Sequence, residues 1–165
     1  MSFALRLARA PAKIPANLAK FVSKQTFTVN IRQMSVLLQA MCLSKSPLQD
    51  EALCVHSPPP DETTKTTKKN KAATDRLAAG PGGGQVPMHK FESMDGWIVT
   101  AEEAGWIAKG IAGLLASEDD RETLVEFLVE FQGADEKGAR DAFPFIKVWR
   151  DFNVLAARHG GYSVS

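Results

Sequence analysis

The chain has 165 residues, and its 20 Lys and Arg against 19 Asp and Glu give a formal net charge of +1. This length allows one domain of ordinary size or a smaller domain with a long tail. A chain so close to neutral is neither a uniformly basic nucleic-acid coat nor a strongly acidic protein. Its 2 cysteines are too few for a disulfide scaffold or a four-thiolate zinc site. No run of about eighteen apolar residues predicts a membrane-spanning helix.

Charged and aromatic residues are unevenly distributed. Residues 1–49 contain seven basic residues and no acid, whereas residues 88–165 have a formal net charge of −6. Most aromatic residues also lie in 88–165, and aromatic side chains bury the most area per residue. The chain therefore divides into a basic arm (1–55), a linker (56–87) and a folded acidic module (88–165).

The basic arm has one helical pattern. Apolar residues recur at helical spacing and predict a helix near 31–43: Ile31, Met34, Leu38 and Met41. The first ten residues carry two arginines and no acid, which predicts a short basic helix that Pro11 would end and is typical of mitochondrial presequences. Apart from these segments, the N-terminal half is expected to be largely disordered.

Residues 56–87 have the composition of a disordered linker. They contain three consecutive prolines, a Thr- and Lys-rich stretch and a glycine run, none of which buries enough apolar area to offset the entropy of ordering. A basic cluster in this stretch is an alternative nucleic-acid contact: Lys65, Lys68, Lys69 and Lys71.

A second hypothesis concerns the start of the natural product. The codons of Gly82–Gly84 each begin GG and end three codons before Met88. A G-rich messenger segment at that distance from an AUG resembles a bacterial ribosome-binding site. On this hypothesis translation starts at Met88 or Met94, and residues 1–87 are upstream sequence.

Local signals agree with one another in the acidic module. Trp97–Thr100 is rich in β-forming residues and follows the turn pair Asp95-Gly96. Thr100 and Glu103 have the spacing of a capping box, so a helix should begin there. Ser117 should cap a second helix, with an apolar face that the pattern assigns to Leu124, Phe127, Leu128 and Phe131.

Gly133 should end the second helix, and Pro144 should lie in the first turn of a third. The pair Gly160-Gly161 should end that helix before a terminal strand at 162–165. This strand should pair with 97–100, with 88–91 as a third strand alongside. The predicted fold class is α+β: a β-α-α-α-β module of three helices on a two- or three-stranded ribbon.

Four glutamates on the second helix form the candidate partner-docking face: Glu118, Glu122, Glu126 and Glu130. The last three follow one another at intervals of four residues, so they share a stripe opposite the apolar face. Such a stripe suits a basic protein partner, although an acidic stripe is also the usual solvent-exposed side of a helix. The exposed edge of the terminal ribbon is the alternative docking site.

No catalytic, cofactor-binding or metal-binding residues are predicted. Cys42 and Cys54 with His56 do not complete a tetrahedral metal site. His159, at the end of a helix, is better placed for a dipole contact than for catalysis. The aromatic residues Trp106, Trp149 and Phe152 have the spacing of a core, and a cofactor- or base-stacking platform is the alternative interpretation.

The motifs Trp97-Ile98-Val99-Thr100, with Glu103-Ala104 following, and Gly160-Gly161-Tyr162 resemble small uncharacterised proteins of high-GC bacteria. The resemblance covers residues 94–165 and implies a bacterial cytoplasmic protein, but no activity. The expected function is that of a non-enzymatic protein-interaction module. The alternatives are a nucleic-acid-associated protein that uses the basic arm, and a mitochondrial protein with a presequence.

Overall fold

The computed structural model describes residues 2–44, 54–55, 86–87, 89–92 and 95–165. Its centre is a five-stranded sheet with the strand order β2-β3-β1-β7-β6, in which every pairing is antiparallel. These strands are β1 (Ser2–Leu7), β2 (Val22–Ser23), β3 (Thr26–Asn30), β6 (Trp97–Val99) and β7 (Tyr162–Val164). A separate parallel pair consists of β4 (Cys54–Val55) and β5 (Val86–Pro87).

Helices cover one face of the sheet, which confirms the α+β class. They are α1 (Ile31–Leu43), α2 (His89–Glu92), α3 (Ala101–Ala116), α4 (Glu118–Gln132), α5 (Glu136–Arg140) and α6 (Phe143–Arg158). The predicted helix at 31–43 is α1. Among the described residues, no helix combines the length and apolar character that crossing a membrane requires.

The first ten residues form a strand and not the predicted basic helix. Phe3, Leu5 and Leu7 are buried and alternate with residues that are exposed or half-buried. This period of two places all three side chains on the core face of a strand, whereas a helix would scatter them. β1 then pairs with β3 along five residues, from Ser2 opposite Asn30 to Arg6 opposite Thr26.

The expectation of a largely disordered N-terminal half is wrong for residues 2–44. These residues supply three of the five strands and the helix α1. They also contribute a large share of the one hydrophobic core: Phe3, Leu5, Leu7, Leu18, Val22, Phe27, Val29, Met34, Leu37, Ala40 and Met41. The aromatic count missed this contribution because aliphatic side chains fill most of these positions. Except for 86–87, the predicted linker lies outside the described residues, and Val86–Pro87 forms β5.

The predicted pairing of 97–100 with the terminal strand is confirmed, from Trp97 opposite Val164 to Val99 opposite Tyr162. The proposed third strand at 88–91 is wrong, because β1 lies on the other side of β7 and residues 89–92 form α2. The module order is also not the predicted β-α-α-α-β. Four helices separate β6 from β7, since Asp135 caps the additional one-turn helix α5.

The helix ends follow their local signals. The Thr100 hydroxyl accepts from the Glu103 N–H and the Glu103 carboxylate accepts from the Thr100 N–H, so the capping box is complete. Ser117 caps α4, and Gly133 ends it in the left-handed conformation with φ of 65°. Pro144 lies in the first turn of α6. Thr100 and Ser117 accept hydrogen bonds from backbone N–H groups that have no partner inside the helix, and Pro144 has no backbone N–H that would need one.

Gly161 fixes the approach of β7 to β6. It has a φ of 88°, and a Cβ atom there would lie 2.1 Å from the carbonyl oxygen of Val99. Only glycine permits both the backbone conformation and the close contact. The Gly160-Gly161 pair therefore ends α6 as predicted and also lets the last strand enter the sheet.

Phe27 connects the N-terminal strands to α6. It is fully buried on β3, and its ring centroid lies 4.8 Å from that of Phe152 and 5.9 Å from that of Trp149. The rings of Phe21 and Phe145 also belong to the cluster, with centroids 6.2 and 6.1 Å from that of Phe27.

We expect Phe27→Ala to lower the free energy of unfolding by about 3–5 kcal/mol, because it leaves a cavity inside this ring cluster. Thr28→Ala, at the adjacent exposed position of β3, should cost about 1 kcal/mol at most. Chemical denaturation of both variants measures the difference. If Phe27→Ala unfolds like the unmodified protein, β3 does not belong to the cooperative core.

Candidate functional site

The four glutamates of the predicted docking face all lie on α4, but they are not equivalent. Glu118, Glu126 and Glu130 are exposed, and none of them has an ion-pair partner among the described residues. Glu122 instead accepts two hydrogen bonds from Arg140 of α5, each 2.8 Å long. Arg140 also contacts Glu136 at 3.0 Å.

This bidentate contact changes the electrostatics of the stripe. The hydrogen bonds from Arg140, together with its positive charge, lower the pKa of Glu122 below its ordinary value. The same contact, together with Glu136, raises the pKa of Arg140. Glu122 therefore connects α4 to α5, and the carboxylates left for a partner are those of Glu118, Glu126 and Glu130.

Phe131 does not lie in the core, contrary to the sequence prediction. Its side chain is 67% exposed, and its ring stacks on that of half-buried Phe127 with the centroids 4.6 Å apart. The core-facing residues of α4 are Leu124, Val125 and Leu128. Because Val125 belongs to the buried stripe, that stripe is rotated away from Phe131, which projects from the last turn into solvent.

Exposed apolar and acidic side chains are thus adjacent on the second half of α4. We define the α4 surface as Glu126, Phe127, Val129, Glu130 and Phe131. Val129 is 39% exposed, so the surface offers three apolar side chains and two carboxylates. Aromatic residues are enriched at protein interfaces, so the α4 surface is the candidate docking site.

A buried ion pair lies in another part of the molecule. The Nζ atom of Lys90, on α2, lies 2.7 and 2.8 Å from the two carboxylate oxygens of Glu103 on α3. Lys90 is fully buried and Glu103 is only 2% exposed. Because buried charges are tolerated only when they are paired, this contact fixes α2 against the start of α3.

Tyr162 continues this buried polar region. Its hydroxyl donates to Oδ1 of Asn153 at 3.1 Å, and the Asn153 amide donates to the carbonyl of Trp149. Complete burial, and secondarily the charge of Glu103, raise the pKa of Tyr162 well above its ordinary value. The phenol therefore stays protonated and remains a hydrogen-bond donor.

Sequence reasoning did not find the Lys90–Glu103 pair. Glu103 was identified as part of a capping box, and that role is correct. Its second role needs Lys90, which lies thirteen residues away in a segment predicted as a strand. No local pattern connects the two residues, so only the packing of α2 brings them together.

Two adjoining clefts lie between the start of α1 and the start of α6. Their volumes are about 630 and 610 Å³, and both are lined by Gln33, Asp141 and Phe145. Arg32 lines one cleft and Lys20 the other. Among the described residues that line the two clefts there is no Ser, Cys or His; the ionisable side chains there are Lys20, Arg32 and Asp141.

The remaining candidate residues of the sequence analysis either cap a helix or pack in or against the core, or they lie outside the described residues. His159 is the C-cap residue of α6, where its backbone N–H donates to Ala156. Trp149 and Phe152 are core residues, and Trp106 packs against the core. Within the part of the chain that the structure describes, no group of His, Cys, Asp or Glu is arranged to hold a metal ion. His56 and the lysines at 65–71 lie outside the described residues.

Removing one partner of the buried pair should be strongly destabilising. We expect Lys90→Met to cost about 3–5 kcal/mol, because it leaves the Glu103 carboxylate buried without a counter-charge. The double variant K90M/E103Q should recover much of this loss, since glutamine keeps the cap on α3 without the charge. Arg140→Ala, which breaks the exposed pair with Glu122, is the control and should have a far smaller effect on thermal unfolding. Equal losses in K90M and K90M/E103Q would contradict this account.

Tyr162 is the only tyrosine of the chain, so ultraviolet titration of tyrosinate follows it directly. The folded protein should ionise well above the ordinary value of 10.0, whereas the unfolded chain should ionise near it. Below pH 10.0 Tyr162 is protonated in both the folded and the unfolded state, so it does not change the free energy of unfolding with pH. As the pH rises through the higher pKa of the folded state, its stabilising contribution is lost. The Tyr162→Phe variant supplies the baseline, and ionisation near pH 10 in the folded protein would contradict the prediction.

Comparison with known proteins adds no relative from which a function could be transferred. The chain matches no protein-family model, no curated protein and no solved structure.

Proposed function

We propose that the protein is a non-enzymatic interaction protein whose α4 surface binds a partner segment that combines basic and apolar side chains. The observation that carries this proposal is the 67% exposure of Phe131 beside two carboxylates without an ion-pair partner among the described residues. A large exposed aromatic ring costs free energy in water, and a partner that covers it recovers that cost.

The stacking of Phe127 and Phe131 prepares the surface for binding. With their centroids 4.6 Å apart, the two rings restrict each other and present a joint apolar area. Ordering a side chain on binding costs conformational entropy, so an anchor that is already held loses less. Aromatic anchors of this kind are enriched among the residues that dominate binding free energy.

The charges select the kind of partner. Glu126 and Glu130 are one helical turn apart, and their carboxylates have no counter-charge among the described residues. A partner helix with Lys or Arg at a matching spacing would neutralise both and place its apolar side chains on Phe131. An acidic partner would be repelled, so charge supplies specificity as well as attraction.

The bacterial cytoplasm is the compartment that we propose, on the resemblance of residues 94–165. Cleavage of a mitochondrial presequence near residue 24 would remove β1, which lies between β3 and β7. Because such cleavage would remove an interior strand of the sheet, we prefer the bacterial cytoplasm to the mitochondrion. In the sheet β1 covers the β7 side of the terminal ribbon, so the alternative docking site is the edge formed by β6.

A synthetic amphipathic helix composed of leucine and lysine tests the proposal. We expect it to bind the protein, to shift the backbone amide resonances of α4, and to lose affinity as the salt concentration rises. Phe131→Ala should weaken binding about tenfold or more, because it removes the anchor. The charge-reversal variant E126K/E130K should also lose binding without loss of thermal stability, since both residues are exposed.

Val154→Ala is the matched control, because Val154 is a 37% exposed apolar residue on α6. It should leave the affinity unchanged. A leucine and glutamate peptide should not bind. Binding that survives Phe131→Ala, or that Val154→Ala weakens equally, would contradict the proposal.

A further inference from the structure

Among the residues that the structure describes, no helix covers the second face of the five-stranded sheet. Side chains alternate along each strand, and the buried residues of β1 and β3 face the helices. The alternate residues form the open face and are all exposed or half-buried. We define the open face as Ser2, Ala4, Arg6, Ser23, Thr26, Thr28, Asn30, Ile98 and Ser163.

The composition of the open face is chemically uniform. Most of its side chains carry a hydroxyl or an amide group, and its one charged residue is Arg6. None of the five strands carries an acidic residue at any position. The aromatic residues of these strands alternate with the open-face positions and so belong to the opposite side.

Arg6 lies at the centre of this face. The strand register places it between Thr26 on β3 and Ser163 on β7, in a row that continues to Ile98 on β6. Beside it is a depression of about 310 Å³, whose lining includes Arg6, Gln25, Ile98 and Ser163. The centre of the face therefore has a concave site with a cation and two neutral hydrogen-bonding side chains.

Two more cations are chain neighbours of residues that line this depression, Arg9 next to Ala8 and Lys24 next to Gln25. Arg9 follows the end of β1, and Lys24 precedes Gln25, whose carbonyl accepts from the Leu7 N–H at 2.9 Å. Neither residue, nor Arg6, has an ion-pair partner among the residues that the structure describes. Since residues 2–44 contain no acid, nothing within this part of the chain neutralises the three charges.

We propose that the open face binds the sugar–phosphate backbone of single-stranded RNA. Arginine, serine and threonine are side chains that hydrogen-bond phosphate oxygens and sugar hydroxyls, whereas the Asn30 side chain caps α1. An extended sheet face accommodates an unpaired strand, as in RNA-binding domains that hold single strands on a four-stranded sheet, although those domains stack bases on aromatic side chains. The hydroxyls of the face can also donate to or accept from the ribose 2′-hydroxyl, which favours RNA over DNA.

The same composition defines the limits of this binding. The open face carries no aromatic ring on which bases could stack, so binding should not depend on base sequence. The affinity then comes mainly from phosphate contacts and should fall steeply with salt. The acidic helix α4 belongs to the helix layer on the other side of the sheet, so it repels RNA from that side and directs the strand to the open face.

Fluorescence anisotropy with a labelled oligouridylate and the full chain tests the proposal. We expect the triple variant R6A/R9A/K24A to bind about tenfold or more weakly. The slope of log affinity against log salt should fall by about 2, because each phosphate contact to a single strand contributes about 0.7. Lys109→Ala, an exposed cation on α3, is the matched control and should leave affinity and slope unchanged. Circular dichroism verifies that each variant is folded.

Two further measurements decide between this face and other sources of binding. The variant K65A/K68A/K69A/K71A removes the basic cluster outside the described residues and should retain most of the affinity. An oligodeoxythymidylate of equal length should bind more weakly than the oligouridylate. Absence of RNA binding, unchanged binding by R6A/R9A/K24A, loss of binding with the Lys65 cluster, or equal affinity for both strands would each overturn the proposal.

Discussion

Phe27 extends from the N-terminal part of the sheet into the ring cluster of α6, and the rest of the structure depends on that contact. Its stacking on Phe152 joins strands formed by residues 2–30 to a helix that begins more than a hundred residues later. β1 then lies beside β7, so the first and last strands share one sheet. Neither half has a complete core alone, because buried apolar side chains from both are in one cluster.

This arrangement separates the charges of the molecule. Most of the acidic residues follow β6, and the exposed acidic stripe lies on α4. Arg6, Arg9 and Lys24, which have no ion-pair partner within the described part of the chain, lie on or beside the sheet. A near-neutral net charge therefore conceals two surfaces of opposite sign. The two proposed activities use different surfaces, so a basic protein segment and a nucleic-acid strand would not compete for the same residues.

Much of the second half of the fold was predictable, because its signals are local. The capping box at Thr100, the Ser117 cap and the glycine stops at Gly133 and Gly160-Gly161 each involve residues a few positions apart. The candidate site was predictable only in part. Four glutamates on one helix were recognised, but the exposure of Phe131 depends on how α4 is rotated against its neighbours, and the neutralisation of Glu122 depends on α5.

The amino-acid sequence by itself determined the α+β class, the helix α1 and the ends of the C-terminal helices, because backbone capping and hydrophobic period act within one or two turns. Tertiary structure alone decided that residues 2–7 form an interior strand and that Lys90 pairs with Glu103. A short alternating segment gains little from its own hydrogen bonds and becomes a strand only when neighbouring strands and a core are present. A buried charge likewise depends on a partner that the folded chain brings from a distance.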